Sequence, residues 1–214
     1  QRTGMSRLTT VSTSRASADQ RAGRAGRTEP GAAYRLWSKL EHGTRRAHLE
    51  PEITQVDLAG LALELAAWGT PVGELRWADP PPPRTLQQAT ELLQRLDALS
   101  DDGRLTDRGR RMLSLPLHPR LARMVAGAAP ADASLACVVA ALLDERDVFR
   151  GRPDELPADL ALRVGVVCGQ YHDRADGRDV RRVRDRAADV ARRGQIRFDL
   201  DDVRADRSGV VLAL

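Results

Sequence analysis

Gln20-Arg-Ala-Gly-Arg-Ala-Gly-Arg27 is the stretch from which the rest of the chain is read. On a helix, positions 20, 24 and 27 are four and three residues apart and share one face. That face carries an amide and two guanidinium groups. Two adjacent arginines repel unless an anion lies between them. A nucleotide phosphate is the natural anion, because a guanidinium donates two parallel hydrogen bonds to its oxygens. A positioned arginine also stabilises charge that shifts among γ-phosphate oxygens, typically by about 10³–10⁵-fold in rate. Gly23 and Gly26 lack side chains and let a ligand or a neighbouring backbone approach. The competing reading is plain: an arginine-rich helix face is usually a solvated one, and two glycines in a helix are costly.

Working outward, Met5-Ser-Arg-Leu-Thr-Thr-Val-Ser12 has β-branched residues in partial alternation and suggests a strand. Ser14 or Ser17 can cap a helix running into the Gln20 stretch, and Pro30-Gly31 breaks it. Ala32 to Trp37 reads as a short buried strand. The first fifty residues hold ten basic residues against four acids, a local excess larger than the net +4 of the whole chain. Ile53 to Trp68 reads as an amphipathic helix with Val56, Leu61, Leu65 and Trp68 inward, stopped at Gly69-Thr-Pro71. Pro80 to Pro83 is a stiff connector. Thr85 can cap a helix with Leu86, Leu92, Leu93, Leu96 and Leu99 inside. Asp101-Asp-Gly103 is a turn, Leu105-Thr106 a short strand, and Thr106 or Asp107 opens a helix through Leu113. That order is the pattern of a winged-helix module. Beyond Pro116, helices over Pro119–Ala126, Asp132–Leu143, Leu156–Tyr171 and Asp179–Arg193 suggest a bundle.

Aromatic residues are 3% of the chain, so Leu, Ala and Val supply the core and favour a mainly helical body. Lys39 is the only lysine. Cys137 and Cys168 lie far apart, with no CxxC and no histidine at ligand spacing, so no metal site is expected. Sparse cysteine fits a reducing cytoplasm. No apolar run approaches the length of a membrane span, and no signal peptide is evident. The start at Gln1 and the apolar run Gly209 to Leu214 suggest a piece of a longer protein, cut at both ends.

Gln20 to Arg27 resembles motif VI of the DEAH-type superfamily 2 helicases in its full form. The flanks Ser14-Arg-Ala-Ser-Ala18 and Pro30-Gly-x-x-Tyr-Arg-Leu-Trp37 agree with it. So do Pro51-Glu-Ile-Thr-Gln-Val-Asp-Leu-Ala59, Leu99 to Arg111, and Leu115-Pro-Leu-His-Pro-Arg-Leu-Ala-Arg123, in the family's order. Glu145 to Gly151 and Asp159-Leu-Ala-Leu-Arg163 are most like the bacterial HrpB-type branch. The resemblance implies an ATP-dependent helicase acting on a single nucleic-acid strand, RNA in particular. It makes Gln20, Arg24 and Arg27 nucleotide contacts, with Arg24 and Arg27 catalytic at the γ-phosphate, and Arg21 structural. It also implies a mainly α chain in three parts. Residues 1–50 would be the C-terminal end of the second RecA-like α/β lobe. Residues 51–116 would be a winged-helix domain, and 117–214 an incomplete helical ratchet-like domain. The chain contains no G-x-x-x-x-G-K-[ST] and no acidic box. The phosphate cradle and the Mg²⁺ ligands would therefore come from a RecA-like lobe outside this chain, and the chain alone is expected to lack ATPase activity. The alternative from another class is a non-catalytic winged-helix module that binds nucleic acid or protein.

Other features read as structural. The stretch Arg178 to Arg197 holds eight arginines, with Asp176, Asp179, Asp185 and Asp189 beside or among them. A solvated helix with pairs such as Asp185–Arg181 or Asp189–Arg186 is preferred there over a phosphate-tracking surface. Trp37, Trp68 and Trp77 read as packing residues, His118 as a linker residue, and both cysteines as small core residues. Asp144, Glu145 and Asp147 form an acidic cluster whose evident local partner is Arg146.

Overall fold

The computed structural model describes residues 11–152 and 154–205. The strand expected over 5–12 falls almost wholly outside them. The described residues divide into two compact units, one of 11–57 with 77–82 and one of 58–76 with 83–205.

In the first unit, α1 (Arg15–Gly23) is followed at once by a 3-10 turn (Arg24–Gly26), and α2 (Lys39–Thr44) closes the segment. α2 starts at a capping box: Ser38 Oγ accepts the Glu41 N–H, and the Glu41 carboxylate accepts the Ser38 N–H. These hydrogen bonds from Ser38, backbone first, hold the Glu41 carboxyl below its ordinary range. Residues 32–37 are not a buried strand. They are irregular, with Tyr34 and Leu36 almost fully exposed. An extended segment becomes a strand only where a neighbour takes its backbone N–H and C=O groups, and no described segment does so here.

Among the described residues, the regular structure of the second unit is helical apart from two isolated antiparallel bridges. α3 (Ala59–Trp68) is shorter than the expected 53–68, because Glu52–Thr54 forms a separate 3-10 turn. Its inner face is also rotated. Leu58, Ala59, Ala62, Leu63 and Leu65 are buried, whereas Val56 is exposed and Trp68 is 71% exposed. Gly69 ends the helix at φ 74, a left-handed position that suits glycine. α4 (Pro83–Arg95) begins two residues before Thr85, because proline at the first helical position forfeits only a spare donor. It buries Ala89, Leu92 and Leu93 and packs on α3.

After α4 the chain turns at Gly103 (φ 80) and bridges Leu99 to Leu105, a minimal wing. Thr106 then caps α5 (Asp107–Leu113), its Oγ1 accepting the Gly109 N–H at 2.9 Å. Gly109 is obligatory: a Cβ there would sit 2.2 Å from the Ala98 carbonyl oxygen. The turn at 101–103 and the helix through Leu113 match the reading of the sequence, whereas Leu105 forms a single bridge rather than a strand, and Leu99, expected inside the preceding helix, lies past its end at Arg95.

α6 (Pro119–Gly127), α7 (Ala133–Asp144), α8 (Leu160–Val167), α9 (Gly177–Arg193) and α10 (Leu200–Ala205) follow. α7 is the centre. Every residue from Ser134 to Leu142 is buried, and α6, α8, α9 and α10 all pack on it. A helix apolar on all sides must be surrounded. Full burial of each Val or Leu contributes about 1.5–3 kcal/mol. α9 is its opposite, with Val180, Val183, Ala187, Val190 and Ala191 buried on one stripe and arginines elsewhere. α8 is shorter than the expected 156–171. Asp159 caps it by accepting the Ala161 N–H, and Gly169 at φ 97 ends it. Cys137 and Cys168 are buried and form no disulfide, and burial pushes the Cys137 thiol up to about 11. No described helix is long and apolar enough to cross a membrane.

Candidate nucleotide-contact site

The site is built on α1. Ser14, itself buried, starts the helix: its Oγ accepts the Ser17 N–H at 3.1 Å. The next two free donors, the N–H groups of Arg15 and Ala16, reach the Arg46 and Ala47 carbonyls at 2.9 and 3.0 Å. Arg45 adds a bond to the Thr13 carbonyl and lies over the Trp37 ring, 4.3 Å from its centroid. The helix that carries Gln20 is thus tied at its N-terminal end to the chain at 45–47.

The α-helix does not run through the motif. After Gly23 the Arg24 N–H turns to the Arg21 and Ala22 carbonyls, and the chain tightens to a 3-10 turn. In that geometry residues three apart eclipse. Arg24 and Arg27 therefore come into line, and Gln20 stands about 50° round the axis. A single straight helical face, as expected from spacing, becomes a pair of aligned arginines with the amide to one side.

Gln20, Arg21, Arg24 and Arg27 are all exposed. None of the four forms an ion pair or side-chain hydrogen bond with a described residue. The nearest acid in sequence, Asp19, is engaged elsewhere: its carboxylate pairs with Arg35 at 2.5 Å and lies 4.0 Å from His42. The two aligned arginines thus retain free donors and uncompensated charge. A Cβ at Gly23 or Gly26 would meet nothing within 4 Å, so no packing within the described chain requires glycine at either place. Open space beside unpaired guanidiniums fits a polyanionic group such as a triphosphate.

Gly31 has a role that sequence reading missed. A Cβ there would lie 1.8 Å from the Ala25 carbonyl oxygen, so the chain after Pro30 folds back onto the 3-10 turn. Pro30-Gly31 was legible as a break, but its contact partner was not. Trp37 is likewise part of this scaffold. Its indole N–H points at His42 Nδ1, 3.4 Å away.

A family model for "Helicase associated domain (HA2), winged-helix" matches residues 89–117, the segment holding the Leu99–Leu105 bridge and α5. The ATP-dependent RNA helicase HrpB of Escherichia coli (strain K12) is 45% identical over 146 residues. That alignment covers 67% of this chain and 18% of the relative. Two crystal structures of E. coli HrpB, one described as a DExH-box NTPase and one as a DEAH/RHA helicase, match with a TM-score of 0.70. Their identities are 35% and 36%, over 94% and 92% of this chain and 23% of each solved chain. The chain is homologous to a segment of the HrpB-type helicases. It spans about a fifth of the length of those HrpB relatives. The HrpB likeness extends over nearly all the described helices, and the winged-helix match lies where the chain turns at Gly103.

Proposed function

We propose that this chain serves, within an intact HrpB-type protein, as the part of an ATP-dependent RNA helicase that reads the γ-phosphate and lies along the strand. The observation that carries this reading is the alignment of Arg24 and Arg27, exposed and without a described partner, inside a motif VI sequence. ATP supplies the transferable phosphoryl group when bound, with Mg²⁺ held by residues outside this chain. Arg24 and Arg27 donate to the γ-phosphate oxygens and stabilise negative charge there. Gln20, set to one side, donates its amide N–H to the nucleotide. α1, tied to 45–47, carries the state of the phosphate into the rest of the lobe. In this reading residues 1–50 end the second RecA-like lobe, 51–116 are the winged helix, and 117–214 are the ratchet-like bundle. The last two help enclose single-stranded RNA in the cytoplasm.

The test is Arg27→Ala in the intact protein. Hydrolysis should be abolished while nucleic-acid affinity is largely retained; unchanged turnover would sink the assignment. This chain by itself should show no ATPase activity, because one wall of a site does not make a site. Turnover from a clean preparation would refute that.

The winged-helix match favours a second reading, a non-catalytic module that binds nucleic acid or protein. It requires strongly salt-dependent nucleic-acid binding by residues 51–214 alone and indifference of the intact protein's activity to Arg24 and Arg27.

A further inference from the structure

Between α5, α6, the start of α7 and the end of α9 lies a cavity of about 630 Å³. Its floor is aliphatic: Leu115, Val125 and Ile196, with alanines of α6 and α7. Its rim carries four arginines, Arg110, Arg111, Arg193 and Arg197, and no described carboxylate lines it. Arg110 shares Asp107 and Arg193 shares Asp189, each on its own helix. Arg111 and Arg197 have no ion pair with a described residue. A chain of nearly balanced charge thus sets unbalanced positive charge around one apolar hollow.

The walls are held in place. Gly194 is pressed on the floor, since a Cβ there would come 2.9 Å from Leu115 Cδ2. Glycine is therefore spent one position early, and Gln195 takes the left-handed conformation, φ 55, that usually falls to glycine at a helix end. Two bonds fix it: Gln195 N–H to the Arg192 carbonyl, and Ile196 N–H to Ala191 at 2.9 Å. Ser134 Oγ, buried on α7, accepts the Asp199 N–H and lies 3.3 Å from the Arg197 carbonyl, which anchors the strap beyond.

We propose that this cavity docks an acidic, aliphatic peptide segment of a partner protein. Aliphatic side chains would fill the floor, and flanking Asp or Glu carboxylates would take forked hydrogen bonds from Arg111 and Arg197. The volume suits a few side chains. The exposed rim lets a chain enter and leave, which a closed small-molecule site would not. A nucleic-acid strand is the poorer match: single-strand sites stack bases on aromatic rings, and no aromatic residue lines this hollow.

The experiment is fluorescence anisotropy on the full chain with labelled acetyl-Glu-Leu-Leu-Glu-Leu-Asp-amide. The comparisons are the same peptide with lysines for its acids, and single-stranded oligouridylate as competitor. The acidic peptide should bind at least about tenfold more tightly than the lysine form. Arg111→Ala with Arg197→Ala should weaken it about tenfold. Ala126→Phe, which fills the floor and leaves the charge, should do the same. Ala133→Leu replaces it if the melting temperature of Ala126→Phe falls. Three results would overturn the proposal. One is equal binding of the two peptides. Another is sensitivity to the arginines but not to either filling variant, which means surface charge alone. The third is displacement of the peptide by oligouridylate with matching losses in both variants, which makes the hollow a nucleic-acid site.

Discussion

The stretch 20–27 and the helix Gly177–Arg193 are the two arginine-dense parts of the chain, and they differ in where their guanidinium groups go. In α9 Arg182, Arg184, Arg186, Arg192 and Arg193 turn to neighbouring elements or to acids of the same helix, while Arg178 and Arg181 have no ion pair with a described residue. Arg182 pairs with Glu145 at 3.0 Å, Arg186 with Asp144 at 2.7 Å, and Arg184 donates to the Val167 carbonyl at the end of α8. Asp189 gathers Arg186, Arg192 and Arg193. At 20–27 the one acid on the helix, Asp19, is taken by Arg35, and Arg24 and Arg27 project with no described partner. Arginine density by itself therefore says little. An arginine whose donors are already used holds the fold together, and one whose donors are free is available to a ligand.

The largest expected effect tests that division directly. In the intact protein, Arg24→Ala should lower ATP turnover by about 10³-fold or more and leave the melting temperature unchanged. Arg182→Ala should do the reverse, leaving turnover within about twofold and lowering the melting temperature by a few degrees. Steady-state hydrolysis and thermal melts of the two variants check it. Loss of turnover in Arg182→Ala would erase the contrast.

Next in size is the inward-turned arginine of α8. Arg163 forks onto Asp147 at 3.1 and 2.6 Å, reaches the Pro157 carbonyl at 2.5 Å, and lies over Phe149. Its side chain is only 14% exposed. Arg163→Ala should cost about 2 kcal/mol in urea unfolding, since it strands the Asp147 carboxylate as well as removing donors. The same pair sets an acid limit. Burial pushes the Asp147 carboxyl up, but hydrogen bonds and charge from Arg163 and the N–H groups of Phe149 and Val148 outweigh it and lower it below 3.8. A carboxyl lowered in the folded state contributes stability that is present above its unfolded value. That contribution is lost as pH falls through the lowered one. Stability should therefore drop below about pH 4, and Asp147→Asn should flatten that limb. An unchanged acid limb in the variant would mean that other carboxylates set it.

How far the sequence could be read follows the same line between local and distant partners. Helices over 107–113, 119–126, 132–143 and 179–193 were legible to within two residues at each end, because periodic apolar positions and caps such as Thr106 lie within a few residues of each other. The strand assigned to 32–37 was not, because a strand is defined by a neighbour that composition does not name. Val56 and Trp68 were placed inward by spacing, but the 3-10 turn at Glu52–Thr54 leaves Val56 outside the helix, and Trp68 is the last residue of α3, just before Gly69 ends it. Asp144, Glu145 and Asp147 were assigned to Arg146, next to them in sequence. Their partners are Arg186, Arg182 and Arg163, 16 to 42 residues away. At the candidate site, the residues were legible from the motif. The switch to three residues per turn was not, nor was the fold-back of Gly31 onto Ala25, since both depend on backbone placement rather than residue type.

The smallest effect lies at the outer end of α9, where the inward arginines give way to solvent-facing ones. Arg192 pairs with Asp189 one turn away, yet its side chain is 74% exposed. Such a pair gains little Coulomb energy in high dielectric and loses side-chain freedom in forming. A double-mutant cycle with Arg192→Ala and Asp189→Ala should give a coupling near 0.3 kcal/mol, shrinking further in 0.5 M salt. Arg193 complicates the single variants, because it also reaches Asp189 at 3.2 Å, and the cycle removes that shared contribution. A coupling above about 1 kcal/mol would show that position along α9 does not separate arginines that hold the fold from those that merely decorate it. Burial, rather than the presence of a paired acid, is then no longer what distinguishes Arg163 from Arg192.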